Sequence, residues 1–350
     1  MMKICYFGIY KPDLSRNKIY ISGLKKKGVE VIECRDDGGR FAKYWNLWRK
    51  HRLIKNKYDA IIVGYPGHIM TPFAKIISRK PIIADLLGSF KDAQIHSHNS
   101  GATRRFKDSV IDWMAVKFGD VILIESEAQK KFFIERYGNL KKFKVLYTGV
   151  DESVFYQNVK SRKEDSTKII LFRGRLTPES GIFHILKSAE LLKERRDIIF
   201  RIIGFHYRLG QQVKDLIQER KLANVELVYD YLSDSTLFEK MKDASISLGQ
   251  FESSPRLDRT IPHKIFESMI MKLPLITAYS PAVGELLKDG ESCLFVRRAD
   301  PAHLAEKICF LADNPEAGKR LADNARSVYE KKCSTEVLMA ELFDIIKKQS

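Results

Sequence analysis

Residues 260–277, TIPHKIFESMIMKLPLIT, decide how the chain is read. Thr260 is placed to cap a helix, and Pro262 falls just inside it, where its missing N–H costs nothing. Ile265, Phe266, Met269 and Ile270 recur at helical spacing and mark a core face. Lys264 and Glu267 are three apart, hence neighbours on another face near the N-terminus. Lys272-Leu273-Pro274 stops the helix, and Leu275-Ile276-Thr277 begins a buried strand. A positive dipole end, a lysine and a carboxylate suit a nucleotide sugar, with phosphates at the helix end and ribose hydroxyls on the glutamate. An ordinary amphipathic helix with a solvated Lys–Glu pair fits the same letters, so the rest of the chain has to decide.

Outward from this window, apolar segments recur in both directions. KIILFRG, IIFRIIG, VELVYDY, ASISLGQ, LPLITAY and SCLFVRR alternate with helical stretches in the second half. KICYFGIY, VEVIEC, YDAIIVGY, KPIIADLL, DVILIES and FKVLYTG do the same in the first. Such alternation predicts α/β architecture: two Rossmann-like, doubly wound parallel sheets with helices on both faces. The polar run FYQNVKSRKEDSTK, from 155 to 168, reads as the linker between them. In sheets of this kind the loops at the carboxyl ends of the strands line the binding crevice.

In the second half, the first of those loops is RGRLTPESG, opening a helix at Gly181. It offers a phosphate the backbone of Gly174 and the forked donors of Arg175. Gly204 and Tyr231 mark the next two loops, where a backbone edge or an aromatic ring can hold a base. With Thr260, Ile261, Pro262, His263, Lys264 and Glu267 they make the donor-binding set. No G-x-G-x-x-G follows a strand and no P-loop pattern occurs, which argues against dinucleotide or P-loop chemistry. The absence of an Asp-x-Asp pair argues against an obligatory carboxylate-held metal.

In the first half, Gly8 opens the loop after the first strand and Arg16 follows it, a basic side chain suited to an anionic acceptor. His68 sits in a Pro-Gly turn. Asp85, where a buried strand gives way to its loop, is placed to accept a hydroxyl hydrogen bond or act as a base; a structural role tying the loop through Ser89 is the alternative. These five form the acceptor-binding set. His96-Ser97-His98 invites a metal reading, but no further ligand cluster has the spacing for one.

The chain has 350 residues, enough for two domains with their own cores, and carries a net charge of +17. Residues 1–150 hold 29 Lys and Arg against 14 Asp and Glu, whereas the remaining 200 hold 32 against 30. So uneven a charge suits an anionic surface: phospholipid, nucleic acid or a polyanionic acceptor. Within that half, RFAKYWNLWRKHRLIK (40–55) sets Phe41, Tyr44, Trp45 and Trp48 beside Arg49, Lys50 and Arg52. Such a helix either lies in a membrane interface or packs its aromatics on its own sheet. The basic RRFK at 104–107, followed by IDWMAVKF, adds to an interfacial patch if it shares that side. No apolar run is long enough to span a bilayer and no signal-peptide pattern opens the chain, so a cytoplasmic location is expected. The five scattered cysteines fit a reducing compartment.

Taken together, GRLTPESG, IPHKIFESMIMKLPLIT and DGESCLFVRRADPAHLAEKI make the chain resemble the retaining glycosyltransferases of GT-B fold, family 4, along essentially its whole length. The resemblance implies an acceptor-binding domain at 1–155, a nucleotide-sugar domain at 156–334, a terminal helix at 335–350 returning to the first domain, and a central cleft. It implies that Arg175 and Lys264 hold the diphosphate, that Glu267 holds the ribose, and that sugar passes with retention from a UDP- or GDP-sugar without cofactor or metal. Two positions depart from the family pattern: Ser180 stands where a lysine is common, and Arg259 where a glutamate is. Lys264, with Arg256 or Arg259, is then expected to supply the missing charge. The IPHK variant resembles a subgroup acting in surface-polysaccharide synthesis, which implies a glycan or lipid-linked acceptor and an anionic membrane nearby. A non-catalytic nucleotide-sugar-binding subunit and a basic nucleic-acid binder are the rival readings. The second lacks any nucleic-acid-binding signature.

Overall fold

The computed structural model describes residues 1–39, 41–97, 101–138, 141–156, 167–204, 209–229 and 232–349, with backbone alone at 95–97 and 234. The chain divides into two compact units, Met1–Val150 with Cys333–Ser350, and Asp151–Lys332. All twelve apolar segments named above form strands.

Unit 1 holds β1 (Lys3–Gly8), β2 (Glu30–Arg35), β3 (Ala60–Val63), β4 (Ile82–Leu87), β5 (Val121–Ile124) and β6 (Phe143–Val145) in one parallel sheet of order β2-β1-β3-β4-β5-β6. Its helices are α1 (Ser15–Lys26), α2 (Ala42–Ile54), α3 (Met70–Ile77), α4 (Phe90–Ser97), α5 (Ala102–Phe118) and α6 (Glu127–Tyr137). Side chains alternate across a strand, and the core follows that alternation. Ile83, Val121 and Leu123 join α1 and the last helix of the chain on one face. Ile82 packs under α2 and α3, and Ala84 and Ile122 under α5 and α6, on the other.

Unit 2 begins with α7 (Glu152–Phe155) and β7 (Lys168–Arg173), then a 3₁₀ turn (Pro178–Ser180) and α8 (Ile182–Leu191). It continues through β8 (Ile198–Ile203), α9 (Gly210–Glu219), β9 (Val225–Val228), α10 (Asp234–Lys242) and β10 (Ile246–Leu248). Then come α11 (His263–Ile270), β11 (Leu275–Ala278), α12 (Pro281–Gly284), β12 (Leu294–Val296), α13 (Pro301–Asp313) and α14 (Pro315–Lys332). The parallel sheet runs β12-β11-β10-β7-β8-β9. Helix α15 (Thr335–Lys347) belongs to unit 1, where Leu338, Met339, Leu342 and Ile346 enter the core beside α1.

Two of the expected acceptor residues turn out to lock unit 1. Arg16 and Asp85 are both buried, and the Arg16 Nε lies 3.0 and 2.8 Å from the two Asp85 carboxylate oxygens. Arg16 Nη1 donates to the carbonyls of Leu146 and Tyr147 and to the Thr148 hydroxyl, so one side chain ties α1 to the ends of β4 and β6. Burial pushes the Asp85 carboxyl up while Arg16 pulls it back. A carboxylate closed off in this way holds loops together and is not placed to act as a base. Ser89 binds Asp112 rather than Asp85: its hydroxyl donates to Oδ2 at 2.7 Å, and the Phe90 and Lys91 amides close on the same carboxylate. His68 is buried beside them, with Nε2 2.8 Å from the Gly88 carbonyl oxygen and the ring against Phe90. Burial lowers its pKa, so it serves as a neutral loop anchor. Gly8 takes φ +128° at the end of β1. Of the histidine pair at 96 and 98, His98 lies outside the described residues, as does the His96 side chain.

Removing one partner of a buried ion pair leaves a charge without compensation, so Arg16→Met should cost about 3–5 kcal/mol. Trp45, Trp48 and Trp113 all lie in unit 1, so tryptophan fluorescence in urea reads this unit selectively. A loss below about 1 kcal/mol, the range of exposed pairs, would contradict the assignment.

Candidate active site

In unit 2 the strand order reverses between β7 and β10, and open parallel sheets bind ligands at the carboxyl ends of the strands at such a point. Beyond β7 runs Gly174-Arg175; beyond β10 runs Gly249 and the long loop that leads into α11. That helix starts two residues later than the sequence suggests. Pro262, not Thr260, takes the cap position, and no side chain caps the end; the Ile265 amide donates to the Pro262 carbonyl at 2.9 Å.

Helix α11 is buried on every side, which rules out the solvated Lys–Glu pair. Lys264 is 7% exposed and Glu267 1%. Lys264 Nζ lies 3.4 Å from the Gly249 carbonyl oxygen and 3.8 Å above the Phe172 ring. Gly174 makes room for it: at φ +153°, an added Cβ would come within 3.0 Å of that amine. Burial, reinforced by the nearby Arg173 guanidinium, brings the Lys264 pKa down to about 7 against the opposing pull of Glu267.

Glu267 is held from one side only. Its Oε1 lies 3.1 Å from Arg173 Nη1 and 2.9 Å from His263 Nδ1, while Oε2 is buried without a hydrogen-bond partner. Burial pushes this carboxyl up, but Arg173, then His263 and Lys264, bring it down to about 2. An ionised oxygen left bare in the interior is costly, and a hydroxyl donor from a ligand would relieve that cost.

Arg173 is the residue that sequence reading missed. The signal was a charged side chain ending an otherwise apolar strand at its crevice end. Arg175, the expected phosphate donor, is exposed two residues further on. Arg256, proposed to supply missing charge, is committed to Glu179 at 2.6 Å. Ser180 acts locally, its hydroxyl donating to the Thr177 carbonyl at 2.5 Å and accepting from the Ile182 amide, which fastens the turn into α8. Gly181 follows at φ +69°, where a Cβ would lie 2.8 Å from the Phe251 Cβ. Gly204 is buried with Leu176 against it, a packing position. Thr260 and Pro262 line a small hollow with Gln250, Tyr279 and Arg298, and Ile261 is buried behind them. Tyr231 lies outside the described residues. The structure therefore gathers Arg173, Gly174, His263, Lys264 and Glu267 at the switch point. Among the described residues, no group of three or more His, Cys, Asp or Glu is arranged to hold a metal.

The family match to known proteins falls within unit 2. Residues 156–328 match the family described as glycosyl transferases group 1. That match and the glycosyltransferase names of the relatives support a transferase enzyme. It is 28% identical to the alpha-D-kanosaminyltransferase of Streptomyces kanamyceticus over 162 residues, 46% of this chain and 40% of that protein. It is 23% identical to the chitobiosyldiphosphodolichol beta-mannosyltransferase of Kluyveromyces lactis, over 89% of this chain and 75% of that protein. Among solved structures, Anabaena HepE in complex with UDP-glucose superposes with a TM-score of 0.77 at 15% identity, covering 99% of this chain and all of that one. That likeness shows the fold, two Rossmann-like units of the GT-B type.

The low pKa of Lys264 has a measurable consequence. Near pH 8 the amine is mostly neutral without ligand, and a bound diphosphate pulls its pKa up, so binding takes up about one proton. Calorimetry of nucleoside diphosphate binding in buffers of different ionisation enthalpy reads that proton directly. Lys264→Met should abolish the uptake and weaken binding about 10- to 100-fold, the worth of one charge-assisted contact. Because the lowered pKa shows that the buried charged amine is held at a cost, the same variant should melt no lower than the parent. Unchanged proton uptake in the variant would show that Lys264 does not meet the ligand.

Proposed function

We propose that the protein is a retaining glycosyltransferase that moves a sugar from a nucleotide-diphosphate sugar to a glycan or lipid-linked acceptor in cell-surface polysaccharide synthesis. The observation that carries the donor reading is the bare Oε2 of Glu267, with the buried Lys264 amine and the start of α11, which no side chain caps. A ribose hydroxyl fits the first, and a diphosphate fits the second and third. HepE, which shares the fold, was solved with UDP-glucose, and a UDP- or GDP-sugar is the donor we assign here. The Kluyveromyces relative, by its name, acts on a dolichol-linked chitobiosyl diphosphate, which favours a lipid-linked acceptor.

In this reading no protein nucleophile is needed. The leaving phosphate accepts the acceptor hydroxyl's proton on the face from which it departs. The main catalytic demand is to stabilise charge growing on the diphosphate as the glycosidic bond breaks. Lys264 and the α11 amides do this from within unit 2, and Arg175 reaches in from the adjoining loop. Arg173 and His263 hold Glu267 in position. The protein's own cations take the place of a metal, and no cofactor takes part. The acceptor meets the loops at the carboxyl ends of the unit 1 strands, from Gly8 to Ser89. There Arg16 and Asp85 shape the surface without touching the reacting atoms. The reaction takes place in the cytoplasm, at the inner face of the membrane that carries the acceptor.

A thermal-shift panel of UDP-, GDP-, ADP- and CMP-sugars identifies the donor. NMR of the first product formed then gives the anomer, and EDTA tests the metal. Retained configuration and unchanged turnover in EDTA are expected. Inversion, or loss of turnover restored by a divalent ion, would overturn those two parts of the mechanism. Binding of a nucleotide sugar without hydrolysis or transfer to any acceptor would instead mark a non-catalytic subunit.

A further inference from the structure

The sequence left open whether the aromatic residues of α2 pack inward or face out. Leu47 and His51 are the buried residues of α2, and Tyr44 leans on Phe73 of α3. Phe41 and Trp45 turn away from the sheet, 82% and 62% exposed, with Trp45 stacked on Trp48 at 4.8 Å and Arg52 over the Trp48 ring. Helix α5 does the same, with Phe106 72% and Trp113 49% exposed.

These helices share one side. Ile82 and Ala84, two apart on β4, point to the same face of the sheet; the first packs in the cluster of α2 and α3, the second in that of α5. The outer surface of that layer carries Arg49, Arg52, Arg104, Arg105 and Lys107, all exposed. The acidic residues of α2, α3 and α5, Asp108 and Asp112, are both buried; α6, on the same face of the sheet, carries Glu127 and Glu135 exposed, with Glu127 paired to Lys130. Where α2 and α3 end, an open cavity of about 530 Å³ is lined by Trp48, Arg52, Leu53, Lys55, Lys57 and Ile77, apolar groups beside cations.

We propose that the layer of α2, α3 and α5 is a docking face for an anionic phospholipid bilayer. Phe41, Trp45 and Phe106 enter the headgroup region, and a lipid phosphate sits in the basic cavity beside Trp48. Isolated exposed aromatics are ordinary; aromatics and arginines together on one face, with the carboxylates of α2, α3 and α5 buried, suit a negatively charged, partly apolar surface. The proposal deepens the lipid-linked acceptor reading and rests on it for its purpose, but lipid binding is measured without donor or turnover.

The test is cosedimentation of the full chain with vesicles of phosphatidylcholine alone, and with an equal part of phosphatidylglycerol. Binding to the anionic vesicles only, reversed by salt, is expected. Two variants, one with Trp45→Ser and Phe106→Ser, the other with Arg49→Gln, Arg52→Gln and Arg105→Gln, should each lower it at least about tenfold. Both should keep the wild-type melting temperature and donor-induced shift, since the changed side chains are exposed and lie in unit 1. Three results would overturn the proposal: wild type left in the supernatant, variants that pellet like wild type, or variants that only convert a dimer to a monomer. Failure of the donor shift in wild type would count against the proposed reaction and leave the lipid result standing.

Discussion

The second unit is built around a cluster of charges that the protein buries at the point where its sheet changes direction. Lys264 and Glu267 are drawn out of water on α11, with the half-buried Arg173 beside them at the end of β7. Desolvating them is costly, and their mutual attraction offsets it only in part. The strain shows as an amine brought down to about 7 and a carboxylate oxygen with no donor. Stability alone does not ask for such an arrangement. A ligand that brings two phosphates and a ribose supplies the missing partners together.

The unpaired state of one oxygen follows from how the other is held. Arg173 and His263 both address Oε1, so the carboxylate is fixed in orientation with Oε2 left without a donor. A single partner would let the group rotate; two leave a preorganised acceptor. Gly174 serves the same end on the lysine side, because any side chain there would push the amine away.

Much of this was legible in the sequence. Twelve apolar segments with helices between them predicted two parallel sheets, and the 260–277 window predicted a helix carrying Lys264 and Glu267. Local letters carry those facts, since periodicity and helix ends are set by residues a few positions apart. What was missed depends on distant pairing. Asp85 looked like a base because its partner, Arg16, lies 69 residues away, and nothing in either stretch announces the other. Arg173 was passed over for Arg175 because a Gly-Arg turn is a recognisable pattern, whereas an arginine closing a strand shows its worth only once α11 is laid against it. The α2 aromatics were undecidable in one dimension, because the same spacing serves an inward or an outward face. Leu47 settles it by taking the inward place.

The most direct test of the account is a double-mutant cycle between Glu267 and the ribose. Affinity for the accepted nucleotide sugar and for its 2′- and 3′-deoxy analogues is measured by calorimetry on wild type and on Glu267→Ala. If Oε2 receives a ribose hydroxyl, deleting that hydroxyl weakens binding to wild type about tenfold or more and leaves the variant nearly indifferent. Equal losses in both proteins would mean that Glu267 does not touch the ribose, and the donor site would have to be sought elsewhere.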